Sequence, residues 1–491
     1  MRSWLRENFY TSFPAYVLLA LILGSVYVAT LLPGVGYSGD TAKFQFVGKV
    51  LGTPHATGYP TYLVLNHFFV TLFPFGNLAA KANLLSAIFS VGASLVLLRI
   101  LQTVAVSGLV ALVTALAFGF TQTLWLQSLV AEVYTLNVLF VSLVILFFLR
   151  WSQTRRDLDF LLGCAVYAFS FGNHLTMITF LPAIVVLVWT TDRRVFVDRK
   201  KLLWVALFIL LAAAQYLYIF WRVGDLTTPY LEMRPGTWQE FLWYMTGARF
   251  RDRIGAFTLE QLLIQRIPMF LDLVWKQFYL LLPLALIGMV RFKDRRANTF
   301  LLLALLGNIL YALNYDIYDI FVYFIPGYLI LAIYLGKGIE ALAEVWPHRL
   351  RWLGAALLVA MPLALFAVNV GAVNQRGQTA DARRVEQIIQ QLGDNAVIVP
   401  PDYHYAEYLW YYLLGAEAGQ HSLYVLNKFS GESVRAYLDG SGSFDLPNPR
   451  RGQAPLGLPV YGLDAGQRRL LEQSGLATQD VAGGMYVVTV R

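Results

Sequence analysis

The chain has 491 residues, 57% hydrophobic and only 14% charged, a balance too apolar to be hidden inside an aqueous globule. Its formal charge of +8 is largely a topology signal, since in a membrane protein Lys and Arg gather in the short loops of one face, and it does not point to a nucleic-acid role. The single cysteine, Cys164, excludes a disulfide scaffold. Apolar runs able to cross about 30 Å of hydrocarbon as helices occur near 14–32, 80–101, 106–124, 129–149, 158–173, 175–190, 202–222, 271–290, 298–313, 320–337 and 350–371. They predict a mostly α, polytopic membrane protein of about eleven spans. The runs 158–173 and 175–190 are contiguous, with only Gly172-Asn173-His174 to turn on.

Cations set the orientation. With the N-terminus cytoplasmic, the inner loops hold Arg2 and Arg6, then Arg99, then Arg150, Arg155 and Arg156. Further inner loops hold Arg193 to Lys201, Arg291 to Arg296, and finally Lys337, Arg349 and Arg351. The first span lacks a small-residue cleavage site and is read as retained. Two long loops, 33–79 and 223–270, then lie outside. An odd number of spans divides the chain into a membrane domain, 1–371, and an extracytoplasmic domain, 372–491. That tail is polar, helix-like at Ala380 to Leu392 and Tyr405 to Leu414. It is strand-like at Ala396 to Val399, Leu423 to Leu426, Val460 to Leu463 and Met485 to Val490, a pattern that predicts a small α/β domain.

Five polar motifs fall on the outer side under this topology: Gly39 to Lys43, His55 to Pro60, Ala131 to Tyr134, Gly172 to His174 and Asn314 to Asp319. Their convergence predicts one polar site at the outer ends of several helices. Asp40 could act as a general base on an acceptor hydroxyl or cap a helix from Thr41 to Leu51. Lys43 could pair with Asp40 or hold a phosphate, and His55 could brace a turn beside Tyr59. Glu132 begins an apolar helix, so it should face the bundle interior and have a partner. Asn173 and His174 could bind ligand or satisfy the backbone of a tight turn. Asp316 and Asp319, three apart, would share a helix face and could bind a divalent metal, or Asp319 could cap the next span. The second outer loop carries amphipathic stretches at Trp238 to Met245 and Leu259 to Ile267, with outer cations Arg222, Arg234, Arg249, Arg251 and Arg253 suited to clamping a phosphate.

In order, Gly-Asp, His-x-x-Gly-Tyr-Pro-x-Tyr, Ala-Glu-Val-Tyr-x-Leu-Asn, Gly-Asn-His-x-Thr and Tyr-Asp-x-x-Asp resemble the protein O-mannosyltransferase-related multispan family of GT-C glycosyltransferases. The pieces are Gly39-Asp40, His55 to Tyr62, Ala131 to Asn137, Gly172 to Thr176 and Tyr315 to Asp319, and the resemblance covers about residues 10–340. It implies a GT-C fold and a polyprenyl-phosphate-linked sugar donor, with mannose a candidate. The acceptor would be a protein, lipid or glycan hydroxyl outside the cytoplasm, at the plasma membrane. Asp40 would be the base of an inverting displacement. Lys43, Arg222 and Arg251 would steady the lipid phosphate, while Glu132, Tyr134, Asn173 and His174 would bind the sugar or orient Asp40. One departure stands out: Asp40-Thr41-Ala42-Lys43-Phe44 places a lysine where relatives commonly read Asp-x-Gly-Glu-Phe. Two other classes fit the residues less well, a lipid-linked saccharide flippase and an inactive scaffold whose working part is the tail. The acids cluster at one face instead of along a path through the midplane, and no paired interrupted spans suggest inverted repeats.

Overall fold

The computed structural model describes residues 13–36, 39–225, 227–392, 394–416, 422–426, 430–441 and 455–490; Arg2 and Arg6 lie outside these. Among the described residues, nine helices are long and apolar enough to cross a membrane. A tenth crossing results if Gly108–Gly119 and Gln122–Ser128, bent by 68°, form one broken span. The run expected at 158–173 is a helix of 14 residues, Asp157–Ser170, which at 1.5 Å per residue reaches only about 21 Å. The expectation of about eleven spans counts this short helix and the broken pair as full crossings.

Burial sorts the helices by position. Ile320–Val345 runs through the middle of the bundle with 83% of its apolar window buried, whereas Arg199–Gly224 has 17% and presents Leu203 and Leu210 outward, as a lipid-facing helix does. Glycine sets the closest helix approach. A β-carbon at Gly288 would overlap the Tyr334 carbonyl oxygen, and one at Gly338 the Leu284 carbonyl oxygen. Helices Leu282–Arg291 and Ile325–Val345 therefore touch backbone to backbone, an approach open only to the smallest side chains.

The tail folds around a five-stranded sheet of order β2-β1-β3-β5-β4, with β1 Ala396–Val399, β2 Leu423–Val425, β3 Val460–Gly462, β4 Leu476–Val481 and β5 Met485–Val490. β1 pairs in parallel with β2 and β3, while β5 runs antiparallel to β3 and β4. All four β1 residues are buried, as expected of a central parallel strand. The edge strand β4 was not anticipated, because Leu-Ala-Thr-Gln-Asp-Val exposes Gln479 and Asp480 and lacks an apolar alternation. Nor were helices Gly431–Leu438 and Ala465–Gln473.

The tail does not stand apart from the outer loops. Val385, Ile389, Tyr411 and Tyr412 share one hydrophobic core with Phe44, Phe46 and Leu136, and the Ala79 N–H donates to the Tyr411 hydroxyl at 3.0 Å. This docking brings tail residues to the first outer loop.

Candidate functional site

The helix expected from Thr41 to Leu51 stops at Phe46. Beyond it the chain must turn, Leu51 taking φ 49°, so that Thr53 can bridge to Leu231 of the second outer loop. Gly39 adopts φ +78°, a conformation open to glycine, and thereby delivers Asp40 to the helix N-terminus. Asp40 makes no side-chain cap there, contrary to the capping alternative. Its Oδ1 instead accepts a hydrogen bond from Lys43 Nζ at 2.7 Å.

Lys43 is the centre of the site. Its side chain is 1% exposed, and besides Asp40 its ammonium pairs with Glu232 Oε2 at 3.0 Å and Glu407 Oε1 at 3.1 Å. His55 Nδ1 is 3.3 Å away, and the Tyr403 ring lies beneath the charge at 5.0 Å. Burial opposes that charge, but Asp40, Glu232 and Glu407 together hold the ammonium protonated, its pKa raised well above the usual lysine value. Burial likewise opposes the Asp40 carboxylate, and Lys43, followed by His55, outweighs it, holding Asp40 well below the usual carboxylate range. The Asp40 side chain nonetheless keeps 35% exposure, so it is both ionised and accessible. Its Oδ2 lies 3.7 Å from His55 Nε2.

His55 and Tyr59 belong to a turn in which Gly58 (φ 84°) and Tyr59 (φ 44°) are both left-handed and Pro60 begins the helix Pro60–Leu72, where its missing N–H costs nothing. His55 Nε2 and the Tyr59 hydroxyl are 3.0 Å apart. Beyond Tyr59 lies an aromatic box. The His174 ring sits 6.3 Å from Tyr59, 5.8 Å from Tyr134 and 5.4 Å from Tyr323, centroid to centroid. Burial, reinforced by His55, pushes the His174 imidazole down to about 4, leaving it neutral. The Thr176 N–H donates to His174 Nδ1 at 3.3 Å, which puts the ring proton on Nε2. Tyr134 closes the box by donating to Asp319 Oδ2 at 2.6 Å.

Glu132, 7% exposed, borders both parts, its Oε1 3.5 Å from the Thr41 hydroxyl. Burial, then the negative charges of Asp40 and Asp319, push its carboxyl well above the usual range. Asn173 donates to the Val133 carbonyl at 3.1 Å, fixing the turn beside Glu132, while its Oδ1 is buried with no hydrogen-bond partner.

The fold thus gathers Asp40, Lys43, His55, Tyr59, Glu132, Tyr134, Asn173, His174 and Asp319. Three expected members lie elsewhere or are otherwise engaged. Arg222 donates to the Leu51 carbonyl at 2.6 Å and pairs with Asp225 at 2.8 Å, so it ties the two outer loops together. Arg251 is exposed on the turn Ala248–Arg253. Asp316 is exposed, and residues 316–319 are not helical, so the two acids do not share a helix face. Asp319 makes no cap either. Among the described residues no group of three or more His, Cys, Asp or Glu is arranged to hold a metal. Sequence reasoning missed Glu232, Tyr403 and Glu407. The one available signal was an acid at position 407 inside the aromatic run Tyr403 to Tyr412.

Next to this site runs an apolar groove of about 640 Å³ between helices, lined by Phe160, Cys164, Tyr167, Leu175 and Tyr216 and reaching Lys201 at its other end. Leu175, which follows His174 in the chain, is among its lining residues.

Residues 40–196 match the family model "Protein O-mannosyl-transferase TMEM260 N-terminal domain", a span that contains the Asp40, His55, Glu132 and His174 motifs. Over these residues the chain is similar to the TMEM260 proteins. Protein O-mannosyl-transferase TMEM260 of Mus musculus is 29% identical over 251 residues, 49% of this chain and 34% of the mouse protein. The Dictyostelium discoideum counterpart is 24% identical over 141 residues, 28% of this chain and 17% of its own. The chain therefore spans about a third or less of the curated relatives it matches. Among solved structures, ArnT from Cupriavidus metallidurans bound to undecaprenyl phosphate superposes with a TM-score of 0.65 at 13% identity, covering 97% of this chain and 98% of ArnT. The apo form gives 0.64 at 14% identity, covering 96% of each chain. The fold is that of ArnT over 97% of the chain, tail included, and the similarity to TMEM260 lies in the part that carries the site.

Proposed function

We propose that the protein is a membrane glycosyltransferase that moves a sugar from a polyprenyl-phosphate donor to an acceptor hydroxyl outside the cytoplasm. The observation that carries this reading is the placement of an accessible, ionised Asp40 close to a tyrosine-lined box that holds a neutral His174, with an apolar groove in the same bundle. Sugars stack on aromatic faces through their C–H surfaces, and the groove offers a polyprenyl tail the apolar, largely pre-formed setting that ligand sites favour. The TMEM260 relatives make mannose and a protein hydroxyl the first donor sugar and acceptor to test. Undecaprenyl phosphate on ArnT supports the lipid carrier.

In the reaction, the acceptor oxygen attacks the anomeric carbon as the bond from that carbon to the phosphate oxygen breaks, and the phosphate leaves with the bonding pair. The hydroxyl proton passes to Asp40. Because Lys43 keeps Asp40 weakly basic, the proton transfers late, when the new bond has made the hydroxyl acidic. One in-line displacement inverts the anomeric centre. Glu132, its carboxyl biased toward the protonated form by burial, would donate to a sugar hydroxyl, and His174 offers Nε2–H. These opposed environments for two neighbouring carboxyls divide base from donor. Of the three cations expected at the phosphate, Lys43 is enclosed by acids and Arg222 by carbonyls and Asp225, which leaves Arg251, exposed on its turn, as the one of the three to test at the phosphate. The membrane is the plasma membrane, with a cytoplasmic N-terminus and the site and residues 372–491 outside.

Native membranes supplied with radiolabelled mannosyl polyprenyl phosphate and Ser/Thr-containing peptides test this reading. Transfer with an inverted anomeric configuration supports it; retention of configuration removes the single displacement.

A further inference from the structure

The tail helix Tyr403–Trp410 reaches into the site from outside the membrane part. Glu407 is 0% exposed; its Oε1 pairs with Lys43 at 3.1 Å, while its Oε2 has no hydrogen-bond partner. A buried carboxyl left so bare is costly. It is held there by the surrounding packing: Tyr403 lies 5.0 Å beneath the Lys43 charge, its hydroxyl is 3.5 Å from that of Tyr230, and Tyr230 and Trp410 rings sit 5.5 Å apart. Three acidic side chains from three separate segments, 40, 232 and 407, thus surround one ammonium. Their arrangement decides where that ammonium sits relative to Asp40.

We infer that Glu407 is a positioning residue for the Asp40–Lys43 pair, so that the exterior domain completes the catalytic centre. Glu407 touches no reacting atom. Together with Glu232 it draws the Lys43 ammonium to one side, leaving Asp40 one direct ammonium hydrogen bond and its Oδ2 facing His55 Nε2 at 3.7 Å. Without Glu407, Lys43 is freed to fold over both Asp40 oxygens and compete with the acceptor hydroxyl. This inference rests on the transferase reading, and its test separates the two.

Full-length wild type, Glu407→Ala, Glu407→Gln, Lys43→Met and the double variant Lys43→Met/Glu407→Ala are compared in liposomes with mannosyl polyprenyl phosphate. Glu407→Ala should lower kcat by at least about tenfold with donor KM within about threefold, the scale on which small misplacements act. Glu407→Gln, which keeps an oxygen facing Lys43, should regain most of the rate. The double variant should be no slower than Lys43→Met, because Glu407 acts through Lys43. Wild-type turnover in Glu407→Ala, or effects of the two changes that multiply, would overturn the role. Should Glu407→Ala not accumulate, Lys43→Met against Lys43→Met/Glu407→Gln carries the same comparison. In parallel, acylation of Lys43 by a water-soluble amine reagent, read by mass spectrometry, needs no turnover. Lys43 should be protected in wild type and labelled in Glu407→Ala; equal protection contradicts the proposal. A wild type inert with every donor sinks the transferase reading alone, and the labelling still decides Glu407.

Discussion

Asp40 and Glu132 lie at the same mouth of the bundle, and their surroundings push them in opposite directions. Lys43 overcomes burial at Asp40, whereas burial and two neighbouring acids govern Glu132. In Lys43→Met the burial of Asp40 is no longer outweighed, so its pKa rises, and the acid limb of the kcat/KM profile should move to higher pH by at least about one unit. A limb that stays in place would detach Lys43 from Asp40. His174 gives a stability prediction. Its folded value of about 4 lies below 6.5, so the stabilisation of the neutral buried ring is present above pH 6.5 and is lost as pH falls toward 4. The loss amounts to up to about 3 kcal/mol. His174→Gln should flatten that decline in a thermal-unfolding series between pH 7 and pH 4. Residues such as Asp40, His55 and Glu132 were legible because polar groups at apolar span ends demand an explanation. Glu232 and Glu407 were not, since their meeting with Lys43 is made by tertiary docking and has no local signature.

Helical spans were the most legible elements, because the length and apolarity needed to cross hydrocarbon are written directly in the chain. What the pattern hid was geometry: the bend between Gly119 and Gln122, the short Asp157–Ser170 helix, and the early stop at Phe46. Asp316 and Asp319 show the same limit, as a three-residue spacing means a shared face only where the backbone is helical. Glycine contacts were equally silent. Gly338→Leu should force apart helices Leu282–Arg291 and Ile325–Val345, destabilising the protein by about 3 kcal/mol or more, seen as a lower unfolding temperature in detergent. Unchanged stability would mean the two backbones are not in contact. Arg222→Met should remove the ties to Leu51 and Asp225 and cost about 1–3 kcal/mol of stability, with donor KM little altered. A large rise in donor KM at unchanged stability would instead restore Arg222 as a phosphate clamp.

On the scale of the whole molecule, the two outer loops and the sheet-bearing tail meet at Lys43, and an apolar groove runs between helices of the bundle. Alternation of strand-like and helix-like segments foretold an α/β tail, but polar edge strand β4 and the docking of the 403–416 segment onto Phe46 depend on surfaces that no single segment reveals. If the groove holds the donor's tail, Ala168→Trp, which fills it, should raise KM for a long-chain polyprenyl donor by about tenfold or more while leaving a short-chain, water-soluble analogue nearly unaffected. Equal effects on both would place the tail elsewhere. The most direct test of the central claim is transfer of radiolabelled mannose from its polyprenyl phosphate in reconstituted liposomes, comparing wild type with Asp40→Asn at matched expression and donor binding. The account predicts that Asp40→Asn binds donor and loses transfer by about a hundredfold or more. Equal transfer by the two proteins would contradict it.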